Sequence, residues 1–163
     1  MQVTIFIGSD SDYDIAKDCL DILREFGVTH SLEVTSAHRS PQRTLDLVRK
    51  AVDDGTQVFI AVAGKAAHLA GVVASHTERP VIGVPVESGG LGGLDALLST
   101  VQMPKGVPVA AMGLGKTGAA NAALLAVQVL SLGDPALGRK LKEYRAKMAA
   151  QVESVSDKLK QKV

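Results

Sequence analysis

The chain has 163 residues, with 18 basic side chains against 17 acidic ones, so its net charge of +1 gives no electrostatic footprint for nucleic acid. Hydrophobic residues make up 46% but aromatic ones only 3%, with no Trp, so the core is expected from Ala, Val, Leu and Ile, without aromatic platforms for stacking bases. That length suits a single domain over residues 1–163. Cys19 is the one cysteine, which rules out an intramolecular disulfide framework and fits a reducing compartment. It sits in a helical pattern beside Leu20 with no adjoining cation, and reads as a buried structural thiol. The start, MQVTIFIGS, has no basic region followed by a long apolar segment, and no apolar run is long enough to span a bilayer. A soluble cytoplasmic protein is expected.

Strand and helix patterns alternate along the chain. Residues 3–7 form a short apolar run closed by Gly8. Ile15, Ala16, Cys19, Leu20, Ile22, Leu23 and Phe26 follow at helical spacing, with Gly27 where that helix would end. Residues 30–34 read as a second strand. Ser40 followed by Pro41 is a helix-start signature, and Leu45, Val48, Ala51 and Val52 give that helix its buried stripe. Residues 58–62 are apolar throughout, as a strand covered on both faces must be. A short helix is expected over 66–76, a fourth strand over 81–84 and a fifth over 107–111. Residues 119–132 form a nearly all-apolar helix, too hydrophobic for a wet face in a monomer, and the tail from Pro135 onward is charged and helical.

This pattern predicts a three-layer α/β domain with a five-stranded parallel sheet and a C-terminal helix, and fold statistics alone favour a flavodoxin-like strand order for it. Ligands of such sheets bind outside the C-terminal strand ends. The loops that matter are therefore residues 8–12, 35–41, 63–69, 85–95 and 112–118.

The first of these reads Gly8-Ser9-Asp10-Ser11-Asp12. A glycine after a strand lets the backbone approach a ligand, free amides at a helix start favour an anion, and Ser9 and Ser11 add hydroxyl donors for a phosphate. A carboxylate repels phosphate, so Asp12 is better used on ribose hydroxyls. The spacing leaves equally open that Ser11 or Asp12 merely caps the helix. The second loop, Ser36-Ala37-His38-Arg39-Ser40-Pro41, brings together an imidazole that titrates near neutrality, a guanidinium fork that fits phosphate, and two hydroxyls. The alternative is a solvated loop with Ser40-Pro41 as a cap; its place at a strand end favours function. In the third loop, Gly64, Ala66 and Ala67 would let a helix start press against a flat ligand, while His68 could bond that ligand or simply pack. His30 and His76 read as surface residues. With one Cys and no helical histidine pair, no metal site is expected.

Residues 110–117, AAMGLGKT, nearly match a phosphate-binding loop of nucleoside triphosphatases, with Ala for the first Gly. Against that reading, the segment follows the last strand, leaving no later strand to deliver a magnesium-binding aspartate.

Taken together, these loops resemble the N5-carboxyaminoimidazole ribonucleotide mutases, the class I branch of the phosphoribosylaminoimidazole carboxylase family. The likeness runs through Gly8-Ser9-Asp10-Ser11-Asp12, Ser36-Ala37-His38-Arg39-Ser40-Pro41 and Ala66-Ala67-His68-Leu69. It continues in PVIGVP at 80–85, LSTVQMPKGVPV at 98–109 and NAALLA at 121–126. The resemblance covers nearly the whole chain. It implies a flavodoxin-like subunit, a homo-octamer with active sites where subunits meet, and a ribonucleotide substrate of purine synthesis handled without metal or organic cofactor. The octamer would account for the apolar helix at 119–132. Matching positions put Ser9, Asp12 and Arg39 on phosphate and ribose and make His38 the general acid–base. Ser11, Ser36, Ala37, Gly64 and His68 complete the substrate-binding set, with Ala66, Ala67 and Leu69 as apolar walls.

Two departures stand out: Lys65 where the family normally has Gly, and Ala70 where it normally has Pro. A lysine there could assist with carbon dioxide or bicarbonate, bind a phosphate, or face solvent as a neutral change, the last being the simpler reading. The glycine-rich stretch at 87–94 is looser than the common form and could close over a ligand or merely connect. Alternatives to the mutase are a class II enzyme carboxylating aminoimidazole ribonucleotide directly with carbon dioxide, or a paralogue carboxylating another nucleotide. Class II members typically carry Lys in place of Arg39 and lack Ala67-His68-Leu69. A non-enzymatic ligand-binding α/β module would leave the His38-Arg39 pair without a task.

Overall fold

The computed structural model describes residues 1–161. Its strands are β1 (Val3–Ile7), β2 (His30–Val34), β3 (Val58–Gly64), β4 (Val81–Val86) and β5 (Ala110–Ala111). All pair in parallel, in the order β2-β1-β3-β4-β5, the flavodoxin-like arrangement expected from fold statistics and the family resemblance. The chain forms two compact units, Met1–Ala126 and a second from Val127 onward. The sheet and the loops at its carboxyl edge belong to the first.

The register explains why β1 and β3 are apolar on both faces. Val3, Ile5 and Ile7 pair with Val58, Ile60 and Val62, while Phe6 pairs with Ala61 on the opposite face. Phe6 and Phe59 stack there with ring centroids 5.8 Å apart, and Phe26 is also buried, so all three phenylalanines are core residues. The rest of the core is almost wholly Ala, Val, Leu and Ile, as composition suggests. Helix α1 (Tyr13–Phe26) buries Ala16, Cys19, Leu20, Leu23 and Phe26, and Gly27 ends it in the left-handed conformation. Burial raises the Cys19 thiol to about 12, as befits an inert core residue. Helix α2 (Pro41–Asp53) starts at Pro41 and buries Thr44, Val48 and Ala51.

Strands β3 and β4 each run two residues beyond the expected 58–62 and 81–84, and three other differences are larger. Helix α3 (Leu69–Ala74) starts three residues later than predicted, because Lys65 takes a left-handed backbone (φ 55°) and residues 66–68 complete the turn. In β5 only Ala110 and Ala111 join the ladder; Pro108, with no amide hydrogen to offer, keeps 107–109 out of it. Helix α4 (Leu94–Val101) was not anticipated. It buries the small residues Ala96 and Thr100 and turns Leu94, Leu98 and Val101 outward, each about half exposed, an inverted amphipathic pattern.

Helix α5 (Gly115–Ser131) also departs from expectation. Ala119, Ala122, Ala123, Ala126, Val127 and Leu130 are buried in the isolated chain, and Ala120, Leu124, Leu125 and Val129 remain as half-buried apolar residues. The second unit contains helix α6 (Pro135–Lys160), capped by Asp134, whose side chain accepts from the Ala136 amide. Met148, Val152, Val155 and Leu159 recur along it at helical spacing and are all exposed. Among the described residues no helix is long and apolar enough to cross a membrane.

Candidate active site

The strand order reverses between β1 and β3, and β1 passes on to a helix start there, so a crevice must open at their carboxyl ends. A cavity of about 530 Å³ lies at that point, within the range of small-molecule sites. Four strand exits supply its walls: Gly8, Ser9, Ser11 and Asp12 after β1; Ser36 to Arg39 after β2; Ala63 to Ala66 and Leu69 from β3; and Ser88 after β4.

Backbone bonds tie the exits together. The Gly8 amide donates to the Val62 carbonyl and the Thr35 amide to that of Ile7, extending the sheet up to the loops. Residues 10–12 make one 3₁₀ turn before α1. Asp12 stands at the N-cap position of α1 but makes no side-chain capping bond; the Ser9 hydroxyl caps the 3₁₀ turn, accepting weakly from the Ser11 amide at 3.4 Å and donating to Asp10 at 2.9 Å. Asp10 also accepts from the Ser11 amide at 3.0 Å, and its carboxyl is held below the ordinary value, first by the Ser9 bond. Asp12 behaves in the opposite way. It is buried, with only 7% of its surface exposed, and desolvation raises its carboxyl above the ordinary value against the weaker pull of the Ser9 and Gly8 amides. A buried carboxylate in a pocket wall is suited to accepting hydrogen bonds from hydroxyls and unsuited to phosphate.

The β2 exit is pinned by a buried hydroxyl chain. Thr44 Oγ1 donates to the Ser40 carbonyl at 3.2 Å, and Thr35 Oγ1 meets Thr44 Oγ1 at 2.8 Å. Since the Thr44 hydrogen goes to Ser40, Thr35 must be the donor in the second bond. Ser40 occupies the N-cap position of α2, yet its hydroxyl turns back to the Ser36 carbonyl and accepts from the Ser36 amide. Both ends of the loop that carries His38 and Arg39 are thereby fixed. The Arg39 guanidinium reaches across to β1, donating through Nη2 to the Gly8 carbonyl at 3.2 Å and through Nε to Ser36 Oγ at 3.4 Å. Among the described residues its other guanidinium N–H groups make no hydrogen bond.

His38 Nε2 lies 2.9 Å from Nδ1 of His68, with the rings edge to face at 4.9 Å between centroids. One ring donates and the other accepts, so the two imidazoles form a hydrogen-bonded pair at an exposed rim. Of the residues expected to bind substrate, Ser9, Ser11, Asp12, Ser36, Ala37, Arg39, Gly64, Ala66 and Leu69 line the cavity together with His38. Ala67 and His68 are placed otherwise: Ala67 is buried in the core cluster, and His68 reaches the site through His38. Of the other histidines, His30 is half-buried, with Nδ1 2.8 Å from the Val28 carbonyl, and His76 is exposed beyond the end of α3.

Lys65, which stood out in the sequence as a departure, and Ser88, to which only loop position pointed, also line the cavity. Lys65 is the only non-glycine described residue with a positive φ, a conformation that costs on the order of 1 kcal/mol or more for a residue with a side chain. A Cβ on the neighbouring Gly64 would run into the Ser88 hydroxyl and press on the Val86 carbonyl, so β3 and the loop after β4 approach closely at that point. Ala70, the other departure, is buried on α3 and packs against Gly83. The phosphate-loop-like segment at 110–117 contributes nothing to the cavity lining. Among the described residues no group of three or more His, Cys, Asp or Glu side chains is placed to hold a metal ion.

Fold and pocket define a doubly wound α/β protein with a small-molecule site at its switch point, walled by hydroxyls, a guanidinium and an imidazole pair. The AIR carboxylase family model matches residues 2–151. The chain is 50% identical over 157 residues to the N5-carboxyaminoimidazole ribonucleotide mutase of Bacillus subtilis, covering 96% of this chain and 97% of that one. It is 49% identical over 159 residues to the mutase of Methanocaldococcus jannaschii, with 98% of each chain covered. The crystal structure of Treponema denticola PurE superposes with a TM-score of 0.89 at 28% identity, covering 97% of this chain and 98% of that one. The chain belongs to the AIR carboxylase family.

Proposed function

We propose that the protein is an N5-carboxyaminoimidazole ribonucleotide mutase, an isomerase of purine biosynthesis that moves the carboxylate from N5 to C4 of the aminoimidazole ring. The observation that carries this reading is the joint placement of His38, Arg39, Ser9 and Asp12 in one cavity at the switch point, in a chain about half identical to mutases over nearly its full length. Arg39 and the Ser9 and Ser11 hydroxyls take the phosphate, and Asp12 takes the ribose hydroxyls. Ala37, Ala66 and Leu69 make the apolar wall on which the imidazole lies, and the whole chain works as one catalytic domain.

The chemistry needs one group that gives a proton and then takes one. N5-carboxyaminoimidazole ribonucleotide is a carbamate. When His38 protonates N5, the bond between N5 and the carboxylate carbon breaks, its electron pair stays on nitrogen, and carbon dioxide is released into the pocket. The enamine-like C4 then forms a bond to that carbon dioxide. Loss of the C4 proton to His38 restores ring aromaticity and returns the imidazole to its starting state, so no proton is gained or lost overall. His68, in contact with His38, offers a path for adjusting that proton. A dry apolar wall keeps water from the freed carbon dioxide. On this account His38→Asn keeps nucleotide binding and loses about 10²-fold or more in turnover. Near-normal turnover of that variant refutes the assignment.

Homo-octameric assembly with active sites at subunit contacts belongs to the same proposal. It is supported by the outward apolar stripe of Leu94, Leu98 and Val101 on α4, next to the loop that supplies Ser88, and by the exposed Met148, Val152, Val155 and Leu159 on α6. The proposed setting is the cytoplasm, in keeping with a lone, free thiol. A second reading, direct carboxylation of aminoimidazole ribonucleotide, draws on the family description itself and on the cationic Lys65 in the cavity wall.

A further inference from the structure

The cavity holds two cations whose places in the fold differ. Arg39 follows β2 and is anchored to Gly8 and Ser36, on the side of the Ser9 and Ser11 hydroxyls. Lys65 follows β3, two strands away in the sheet order, a separation of roughly 10 Å at the spacing of neighbouring strands. Its stem runs beside Gly89, where an added Cβ would lie 3.9 Å from Lys65 Cε, so the ammonium end lies by the loop that contributes Ser88. Among the described residues it has neither an ion-pair nor a hydrogen-bond partner for its ammonium. A long cationic side chain is thus held in a left-handed backbone, at a cavity wall, with its charge uncommitted.

We propose that Lys65 is a specificity-determining residue that pairs with the carboxylate on the base end of the nucleotide while Arg39 holds the phosphate end. The inference rests on the mutase reading above. A carboxylated aminoimidazole ribonucleotide carries anions at both ends, and two cations two strands apart, with the buried Asp12 after the strand between them, match that charge pattern. The uncarboxylated nucleotide has nothing for Lys65 to bind. Lys65 therefore separates nucleotides that differ only by the carboxylate.

The test is equilibrium binding of 4-carboxy-5-aminoimidazole ribonucleotide and of aminoimidazole ribonucleotide to the full-length protein, followed by calorimetry, for wild type, Lys65→Gly, Lys65→Met and Lys65→Arg. Lys65→Gly relieves the left-handed conformation, so it folds at least as readily, and Lys65→Met keeps the stem while removing the charge. Both are expected to weaken the carboxylated nucleotide about 10-fold or more, to change the uncarboxylated one less than about 2-fold, and to be largely rescued by Lys65→Arg. Equal losses on both nucleotides, or no loss on either, overturn the proposal. Wild-type protein that binds neither nucleotide fails the mutase reading itself, a distinct result that removes this proposal with it.

Discussion

The hydroxyl chain beneath the His38 loop gives a prediction whose size follows from the structure. Thr44 is fully buried and Thr35 is 2% exposed, and no buried side-chain nitrogen or oxygen among the described residues lacks a partner. Thr44→Val keeps the shape of the side chain but removes the acceptor for Thr35 Oγ1. The Ser40 carbonyl still accepts from the Thr44 amide, so the stranded group is the Thr35 hydroxyl alone. Leaving a buried hydroxyl unsatisfied costs about 1–3 kcal/mol. Replacing both threonines with valine removes donor and acceptor together, so the double variant should lose less than the two single losses added, by about 0.5 kcal/mol or more. Denaturant unfolding of the four proteins at one fixed protomer concentration measures this, the fixed concentration being needed because assembly itself stabilises. Turnover should fall with Thr44→Val as well, since Thr35 leads directly into the loop that carries His38. Strict additivity, or a Thr44→Val loss below about 0.3 kcal/mol, would refute the claim that the pair holds the loop.

Asp12→Asn should trade function for stability. Burial raises the Asp12 carboxyl above 3.8, so the folded state holds this proton more tightly than the unfolded chain does. The associated stability is present below pH 3.8 and lost as pH rises through the higher folded value, which makes the ionised carboxylate a net cost near neutrality. The variant should therefore gain melting temperature relative to wild type as pH rises from acid to neutral, while its affinity for the ribonucleotide falls; a gap that stays constant with pH contradicts this. Leu98→Glu, which puts charge into the outward stripe of α4, should lower the assembly mass seen by light scattering and reduce turnover with it. A wild type that is already monomeric, or an unchanged mass in the variant, would count against the octamer.

The sheet was legible because burial on both faces leaves an apolar signature, and the order of strands and helices leaves few topologies. The helix α4 escaped because its leucines point out and its core face is Ala96 and Thr100, so the usual apolar-face pattern is reversed and preceded by a glycine-rich run. Aromatic content understated the part of phenylalanine, since composition counts residues and says nothing of where Phe6 and Phe59 meet. In the site, the residues after β1 and β2 were readable from hydroxyl, imidazole and guanidinium groups at strand ends. The His38–His68 contact joins residues 30 apart in sequence, which no local pattern encodes. Lys65 is exposed, as a solvent-facing change would be, but side-chain type does not reveal that its backbone is left-handed and that it stands at a cavity wall.

The most direct measurement is product formation by the purified protein, without ATP, from N5-carboxyaminoimidazole ribonucleotide and separately from aminoimidazole ribonucleotide with bicarbonate. The mutase account predicts fast conversion of the first and only slow turnover of the second at high bicarbonate. A reversed preference would contradict it and make the protein a direct carboxylase; no turnover of either would refute both readings of the site.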